Sequence, residues 1–133
     1  MTEDITDQHG YWTTLARQAI SGEFRMESEL GETLRAAAKK YAERLMRAKE
    51  YTKDLENLSG WGTLPSAVAL RQKFEAKAVS GGPHDPNDSA ANRIQEHIDI
   101  AWLQHDTFAA AIGKVELIDE QRAAALRATG RDI

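Results

Sequence analysis

The sequence contains no cysteine, and this absence excludes disulfide bonds, zinc-thiolate sites and cysteine catalysis together. It also lacks any apolar run close to the roughly 18 residues that a membrane-spanning helix needs. The N-terminal stretch MTEDITDQHG is acidic and has neither the basic segment nor the apolar core of a secretory signal peptide. We therefore expect a protein that stays in the cytoplasm or leaves the cell by a specialised route.

Positive charge is not in excess, because 17 lysines and arginines face 21 acidic residues, which gives a formal net charge of −4. The signs are interspersed and form no basic stripe, so the sequence argues against binding to nucleic acid or to an anionic membrane. Aromatic residues make up only 7% of the chain. The periodic stretches are instead rich in alanine, leucine, glutamate, lysine, arginine and glutamine, which favour helices. At 133 residues with 41% hydrophobic content, the chain is predicted to form one all-α domain.

Hydrophobic periodicity and helix-breaking residues divide the chain into helices and connections. We predict an antiparallel helical hairpin or bundle with a short N-terminal helix and an interrupted second arm. Phe24 and Met26 are expected on an extended connector that pins them to the core. The predicted elements are a short helix over 8–21, a long helix over 27–58, a Trp-Gly turn over 59–64, a helix over 65–79, a loop over 80–88 and a long helix over 89–127.

Two apolar stripes with spacings of three and four residues predict how the long helices meet. The first stripe consists of Leu30, Leu34, Ala37, Tyr41, Leu45, Ala48, Thr52 and Leu55. The second consists of Ile94, Ile98, Ala101, His105, Phe108, Ile112 and Val115. We expect the two stripes to face each other. A further apolar set is predicted to bury against a second subunit, in a homodimer or a heterodimer with a similar helical hairpin: Ala38, Ala42, Met46, Trp102 and Ala109.

The short stretch between the predicted helices over 27–58 and 65–79 contains a tryptophan flanked by two glycines, Gly60, Trp61 and Gly62. Glycine allows positive φ at a helix C-terminus, so this stretch can reverse the chain tightly. We predict that the indole covers the open end of the hairpin, where its N–H requires an acceptor.

A helical hairpin with a Trp-Gly turn resembles the Esx-like, WXG-motif proteins that type VII secretion systems of actinobacteria and other Gram-positive bacteria export. The stretch GEFRMESELGETL at residues 22–34 looks like the Gly-x-Phe segment and acidic helix start of longer actinobacterial relatives. The stretch LPSAVALRQKFEAKA at residues 64–78 looks like the start of their second arm. The resemblance covers residues 22–127 and implies a non-enzymatic secretion substrate, or a partner or chaperone of one.

The same family carries a Tyr-x-x-x-Asp/Glu element after the second arm, as part of its export signal. Val115 and Asp119 occupy the matching positions here, with valine in the place of tyrosine. On the resemblance, these two residues form an export-signal-like element. The valine keeps open an alternative, a cytoplasmic helical adaptor or regulatory protein that is not exported.

Residue patterns typical of catalysis, cofactor binding and metal binding are missing from the sequence. His97 and His105 share a helix face, but eight residues separate them by about 12 Å along the axis, too far for one ion. There is no glycine-rich phosphate loop and no serine beside an evident base. We predict no enzyme, no cofactor, no metal site and no small-molecule substrate. His105 is expected to find a hydrogen-bond partner across the bundle, where its titration would make assembly pH-sensitive.

Overall fold

A computed structural model describes residues 5–82 and 85–131, with the backbone alone for residues 129–131. Over these residues the chain is all-α, which confirms the predicted class. The helices are α1 (Ile5–Ser21), α2 (Ser28–Tyr51), α3 (Pro65–Ala78), α4 (Ala90–Ala111) and α5 (Glu120–Arg131), with 3₁₀ turns at Thr52–Leu55 and Val115–Leu117. Residues 83 and 84 of the predicted loop lie outside the described part of the chain.

The chain divides into two compact units. Of the described residues, unit 1 contains those up to Ala42 and those from Asp99 onward, and unit 2 contains those from Glu43 to Ile98. The long helices α2 and α4 therefore each contribute one end to each unit.

The core of unit 1 is a cluster of small residues, which the connector between α1 and α2 helps to cover. The cluster consists of Ala19, Ala109, Ala110, Ala111, Ile118 and Ala123. Phe24 and Met26 pack against it, as the predicted extended connector requires. The Met26 amide also donates a hydrogen bond of 3.1 Å to the Ala111 carbonyl, which ties the connector to the end of α4.

Within unit 1, the start of α2 lies against the end of α4. A Cβ built on Gly31 would come within 2.1 Å of Ile112 Cγ2, so only glycine fits this close approach. One helical turn further along α2, Arg35 Nη1 lies 3.2 Å from His105 Nε2. The two helices run antiparallel in this unit.

Within unit 2, the end of α2 lies beside the start of α4, because Lys49 Nζ donates a hydrogen bond of 2.7 Å to Gln95 Oε1. The Ser89 hydroxyl accepts a hydrogen bond of 3.2 Å from the Asn92 amide and so caps the first turn of α4. The antiparallel arrangement that the sequence predicts for these helices is thus present in each unit.

The predicted helix over 89–127 is not continuous, because α4 ends at Ala111 and a new helix starts at Glu120. Gly113 adopts φ +76°, and its amide bonds the Ala110 carbonyl at 3.0 Å. The Lys114 amide reaches the Ala109 carbonyl at 2.9 Å. This bond pair is the Schellman motif, which ends a helix at a glycine.

Two other predicted boundaries also shift. The long helix predicted over 27–58 is α-helical only to Tyr51, after which the chain tightens into the 3₁₀ turn at Thr52–Leu55. The first helix begins at Ile5 rather than at residue 8.

The buried row of α2 is shifted relative to the predicted first stripe. Gly31, Ala38 and Ala42 are buried, whereas Leu30 and Tyr41 are 51% and 48% exposed. The predicted orientation of α2 was therefore wrong by about one residue. The small side chains face the protein interior, and several large ones face outward.

Candidate protein-binding surface

The described residues show an unusual distribution of side-chain size between interior and surface. Eleven of the fifteen buried hydrophobic residues are alanine, and ten large hydrophobic residues are exposed. Burial of a leucine or phenylalanine stabilises a protein far more than burial of an alanine, because more apolar area leaves water. These ten large apolar side chains thus remain accessible to another molecule.

One such surface, here called the α2 flank, consists of Leu30, Leu34, Ala37 and Tyr41. These residues lie at i, i+4, i+7 and i+11 on α2 and therefore share one side of the helix. Leu34 is half-buried, and the other three are exposed. All four belong to unit 1. The α2 flank is a continuous apolar strip next to the buried row.

The structure places the seven seam and interface residues predicted from the sequence in different environments. Ile98 and His105 are buried, Tyr41 is exposed, and four are half-buried: Leu34, Leu45, Trp102 and Ile112. The part of the predicted stripe that lies on α4, from Ile94 to Phe108, faces inward, since none of its residues is exposed.

Three alanines that were predicted to contact a second subunit are buried within the chain itself, and for them the prediction was wrong. They are Ala38, Ala42 and Ala109. Only Met46, of the five predicted positions, is largely exposed. A partner surface must therefore be sought elsewhere, and the α2 flank provides one.

The Trp-Gly turn belongs to unit 2 and adopts the backbone that the sequence predicts. Gly60 and Gly62 have φ of +87° and +79°. Between them the half-buried Trp61 packs on Phe74, with ring centroids 5.7 Å apart and planes inclined by 43°. The indole therefore covers part of α3.

Five polar side chains from three helices form a continuous hydrogen-bonded network in unit 1: Glu32, Arg35, His105, Asp106 and Arg122. Arg35 Nε and Nη2 donate to the Glu32 carboxylate at 2.9 and 2.6 Å. His105 Nδ1 lies 2.8 Å from Asp106 Oδ1. Arg122 Nε and Nη2 complete the network with bonds of 2.8 and 3.2 Å to the Asp106 carboxylate. The network joins α2, α4 and α5.

The partners of His105 determine its tautomer. Arg35 can only donate, so His105 Nε2 must accept its hydrogen bond. The ring proton then lies on Nδ1 and is donated to Asp106. The expected hydrogen-bond partner of His105 across the bundle is thus Arg35 on α2.

The centre of the network is buried, because His105 and Asp106 are 2% and 1% exposed. Trp102 covers one side of this pair. The centroid of its ring lies 5.3 Å from that of His105, and the Arg122 guanidinium lies 4.7 Å from the Trp102 ring centroid. His105 contacts side chains of its own chain, and the predicted effect of pH on assembly stays a prediction.

Charge pairing perturbs the outer end of this network. The hydrogen bond from Arg35 lowers the pKa of the Glu32 carboxyl, and the same contact raises the pKa of Arg35. Glu32 is therefore ionised at neutral pH and orients the guanidinium toward His105.

Both residues of the export-signal-like element have structural roles. Val115 starts a 3₁₀ turn and packs against the alanine-rich cluster. Asp119 Oδ1 accepts hydrogen bonds from the Gln121 and Arg122 amides at 2.9 and 3.4 Å, which caps α5. The two side chains do not lie on one continuous helix.

Among the described residues, no three side chains of the ligating types cluster closely enough to hold a metal ion. In that same part of the chain no helix is sufficiently long and apolar to span a membrane. Comparisons with protein-family models, curated proteins and solved structures gave no match to this chain. Functional inference therefore depends on the surfaces and contacts described above.

Proposed function

We propose that this protein is a non-enzymatic association module that binds a second helical hairpin through the α2 flank. The partner is another copy of the chain or a similar chain. The observation that carries this proposal is the distribution of side-chain size, with alanines inside and leucine and tyrosine outside.

The energetic argument starts from Leu30 and Tyr41, which are each about half exposed. Full burial of a large apolar side chain contributes about 1.5–3 kcal/mol, so covering the two exposed halves adds roughly the same amount before the cost of association. A standard interface buries about 800 Å² of each partner.

Combined with the Esx-like resemblance, this mode of association supports a more specific proposal. The protein would be a type VII secretion substrate, or the partner or chaperone of one, acting by helix–helix packing. It would then be secreted without a signal peptide or act in the cytoplasm beside an exported partner.

The alternative is a cytoplasmic adaptor or regulator that uses the same surface and is not exported. It is supported by Val115, which stands in the place of the family's tyrosine and packs into the core. The capping role of Asp119 supports it as well, since this carboxylate is engaged by the α5 backbone.

Sedimentation equilibrium of the purified chain, alone and mixed with a hairpin protein encoded by a neighbouring gene, tests the association. We expect Leu30→Lys combined with Tyr41→Lys to convert the complex to monomers without loss of helicity. The matched control is Ala36→Lys, which adds a charge at an exposed position on another side of α2. The proposal would be contradicted if the wild-type protein is monomeric both alone and in the mixture. It would also be contradicted if the control variant weakens association as much as the double variant does.

Export is tested separately by detection in culture filtrate. Secretion that disappears when the secretion ATPase is deleted supports the type VII proposal. Retention in the cytoplasm in the presence of that ATPase favours the adaptor.

A further inference from the structure

A second exposed face lies on α3 in unit 2 and uses other residues than the α2 flank. Leu70, Lys73, Phe74 and Lys77 lie at i, i+3, i+4 and i+7, so they share one side of the helix, here called the α3 face. Leu70 and Phe74 are 47% and 53% exposed. The opposite side of α3 is engaged within the unit, since Glu75 accepts a hydrogen bond of 2.7 Å from the Leu58 amide.

The turn before α3 extends the apolar part of this face. Trp61 packs against Phe74 at 5.7 Å and fixes the position of its ring. Leu64, which directly precedes the helix, is also largely exposed. An i, i+4 pair of large exposed apolar side chains beside an aromatic ring offers a surface on which the apolar face of an amphipathic helix can pack.

The charge of α3 is opposite to that of the chain as a whole. The helix carries three cations, Arg71, Lys73 and Lys77, and one carboxylate, Glu75, in a protein with a formal net charge of −4. The Glu75 carboxylate is held by Arg71 at 3.4 Å as well as by the Leu58 amide. Lys77 pairs with Asp88. Within the described residues, Lys73 has no carboxylate partner.

We propose that the α3 face binds an acidic amphipathic helix of a partner protein. Leucine-type side chains of that helix pack on Leu70 and Phe74, and a flanking carboxylate pairs with Lys73. A second α3 face is a poor occupant because it carries the same cations. An anionic membrane is less suited, because each lysine near such a surface contributes only about 1 kcal/mol and Lys77 is already paired.

The binding test uses the full chain and a labelled amphipathic peptide of about 20 residues, with leucine on one face and glutamate on the flanks. The matched probe has the same leucine face with lysine flanks. Fluorescence anisotropy should show binding of the glutamate peptide at least about tenfold tighter than of the lysine peptide, with an advantage that shrinks as salt rises. Equal affinity for the two peptides, or no binding of either, would overturn the proposal.

Three variants localise the binding. Phe74→Ser should weaken binding of the glutamate peptide by about tenfold, since it removes a large half-exposed side chain on which the peptide packs. Lys73→Glu should weaken binding of the glutamate peptide several-fold and strengthen binding of the lysine peptide. The control Gln72→Glu also introduces a glutamate, but on another side of α3, and should change neither affinity. Circular dichroism confirms that each variant is folded.

Further outcomes separate this proposal from the others. Binding to vesicles that contain phosphatidylserine, with no binding of the glutamate peptide, would replace the peptide partner with a membrane and refute the proposal. The double variant Leu30→Lys with Tyr41→Lys should bind the glutamate peptide normally. Its loss of self-association with retained peptide binding shows that the two surfaces act independently, and unchanged association would count only against the α2 flank.

Discussion

The buried network of unit 1 supports a quantitative prediction for Asp106→Ala. The Asp106 side chain is fully buried and accepts hydrogen bonds from His105 and from two nitrogens of Arg122. Removal of the carboxylate leaves the His105 Nδ1–H inside the protein without an acceptor. It also detaches the guanidinium that links α5 to α4.

The expected loss of stability combines two terms. An unsatisfied buried N–H such as that of His105 costs about 1–3 kcal/mol. The lost ion pair adds only about 1 kcal/mol, because the Arg122 side chain is 37% exposed and its charge can be solvated after the substitution. We therefore expect Asp106→Ala to lower the free energy of unfolding by about 3 kcal/mol, or the melting temperature by about 10 °C.

Urea unfolding followed by circular dichroism measures this loss. Glu96→Ala is the matched control, because it also removes an arginine-paired carboxylate from α4, but one whose side chain is 39% exposed rather than buried. It should cost less than about 1 kcal/mol. Asp106→Ala and Arg122→Ala should cost less together than the sum of the single variants. If Asp106→Ala is no more harmful than Glu96→Ala, the network does not contribute as the geometry requires.

Three further predictions concern single positions. Gly31→Ala should destabilise the protein by about 1–3 kcal/mol in urea unfolding, because the new Cβ would meet Ile112 Cγ2 at 2.1 Å. Gly10→Ala, at a helical position with open space, should stabilise the protein by up to about 1 kcal/mol. If both substitutions change the stability in the same direction, the close approach of Gly31 to Ile112 is contradicted. Asp119→Ala should cost about 1 kcal/mol while Asp119→Asn costs little, since asparagine also caps helices; equal losses would argue against capping. The pKa of Glu32 in the folded protein lies below its unfolded value of about 4.3. The ionised carboxylate therefore stabilises the fold at pH values above about 4.3, and this stabilisation is lost as the pH falls through the folded pKa. Glu32→Gln should therefore flatten stability against pH on the acid side, and an unchanged slope would exclude this contribution.

The sequence predicts the inward row of α4 well, because large apolar side chains, Ile94, Ile98 and Phe108, carry most of its spacing of three and four residues. Ile98, Ala101 and His105 are buried on that row. The breaker-rich turns and the start of α3 at Pro65 were also predictable, since glycine and proline act through the local backbone. These features depend on few residues at a time.

The orientation of α2 could not be predicted in the same way. Two adjacent rows of this helix are apolar, and the larger residues of one row, such as Leu34 and Tyr41, outweigh the small residues of the other in any hydrophobic pattern. Close packing selected the small row instead, because Gly31 and Ala42 allow α4 to approach where larger residues would not fit. The α2 flank is exposed as a result. The sequence identified its residues as one apolar stripe, but it predicted that they would be buried.

The break after α4 and the buried network are one structural feature. In a continuous helix, Asp106 and Arg122 would stand about 24 Å apart along the axis, whereas the two side chains bond at 2.8 Å. The Schellman turn at Gly113 therefore has to reverse the chain before Arg122 can reach the carboxylate. Gly113 was a usable signal in the sequence, because a glycine after an apolar helix favours termination. The same turn gives Val115 and Asp119 their packing and capping roles, so an export function for this segment would have to operate in addition to its work in the fold.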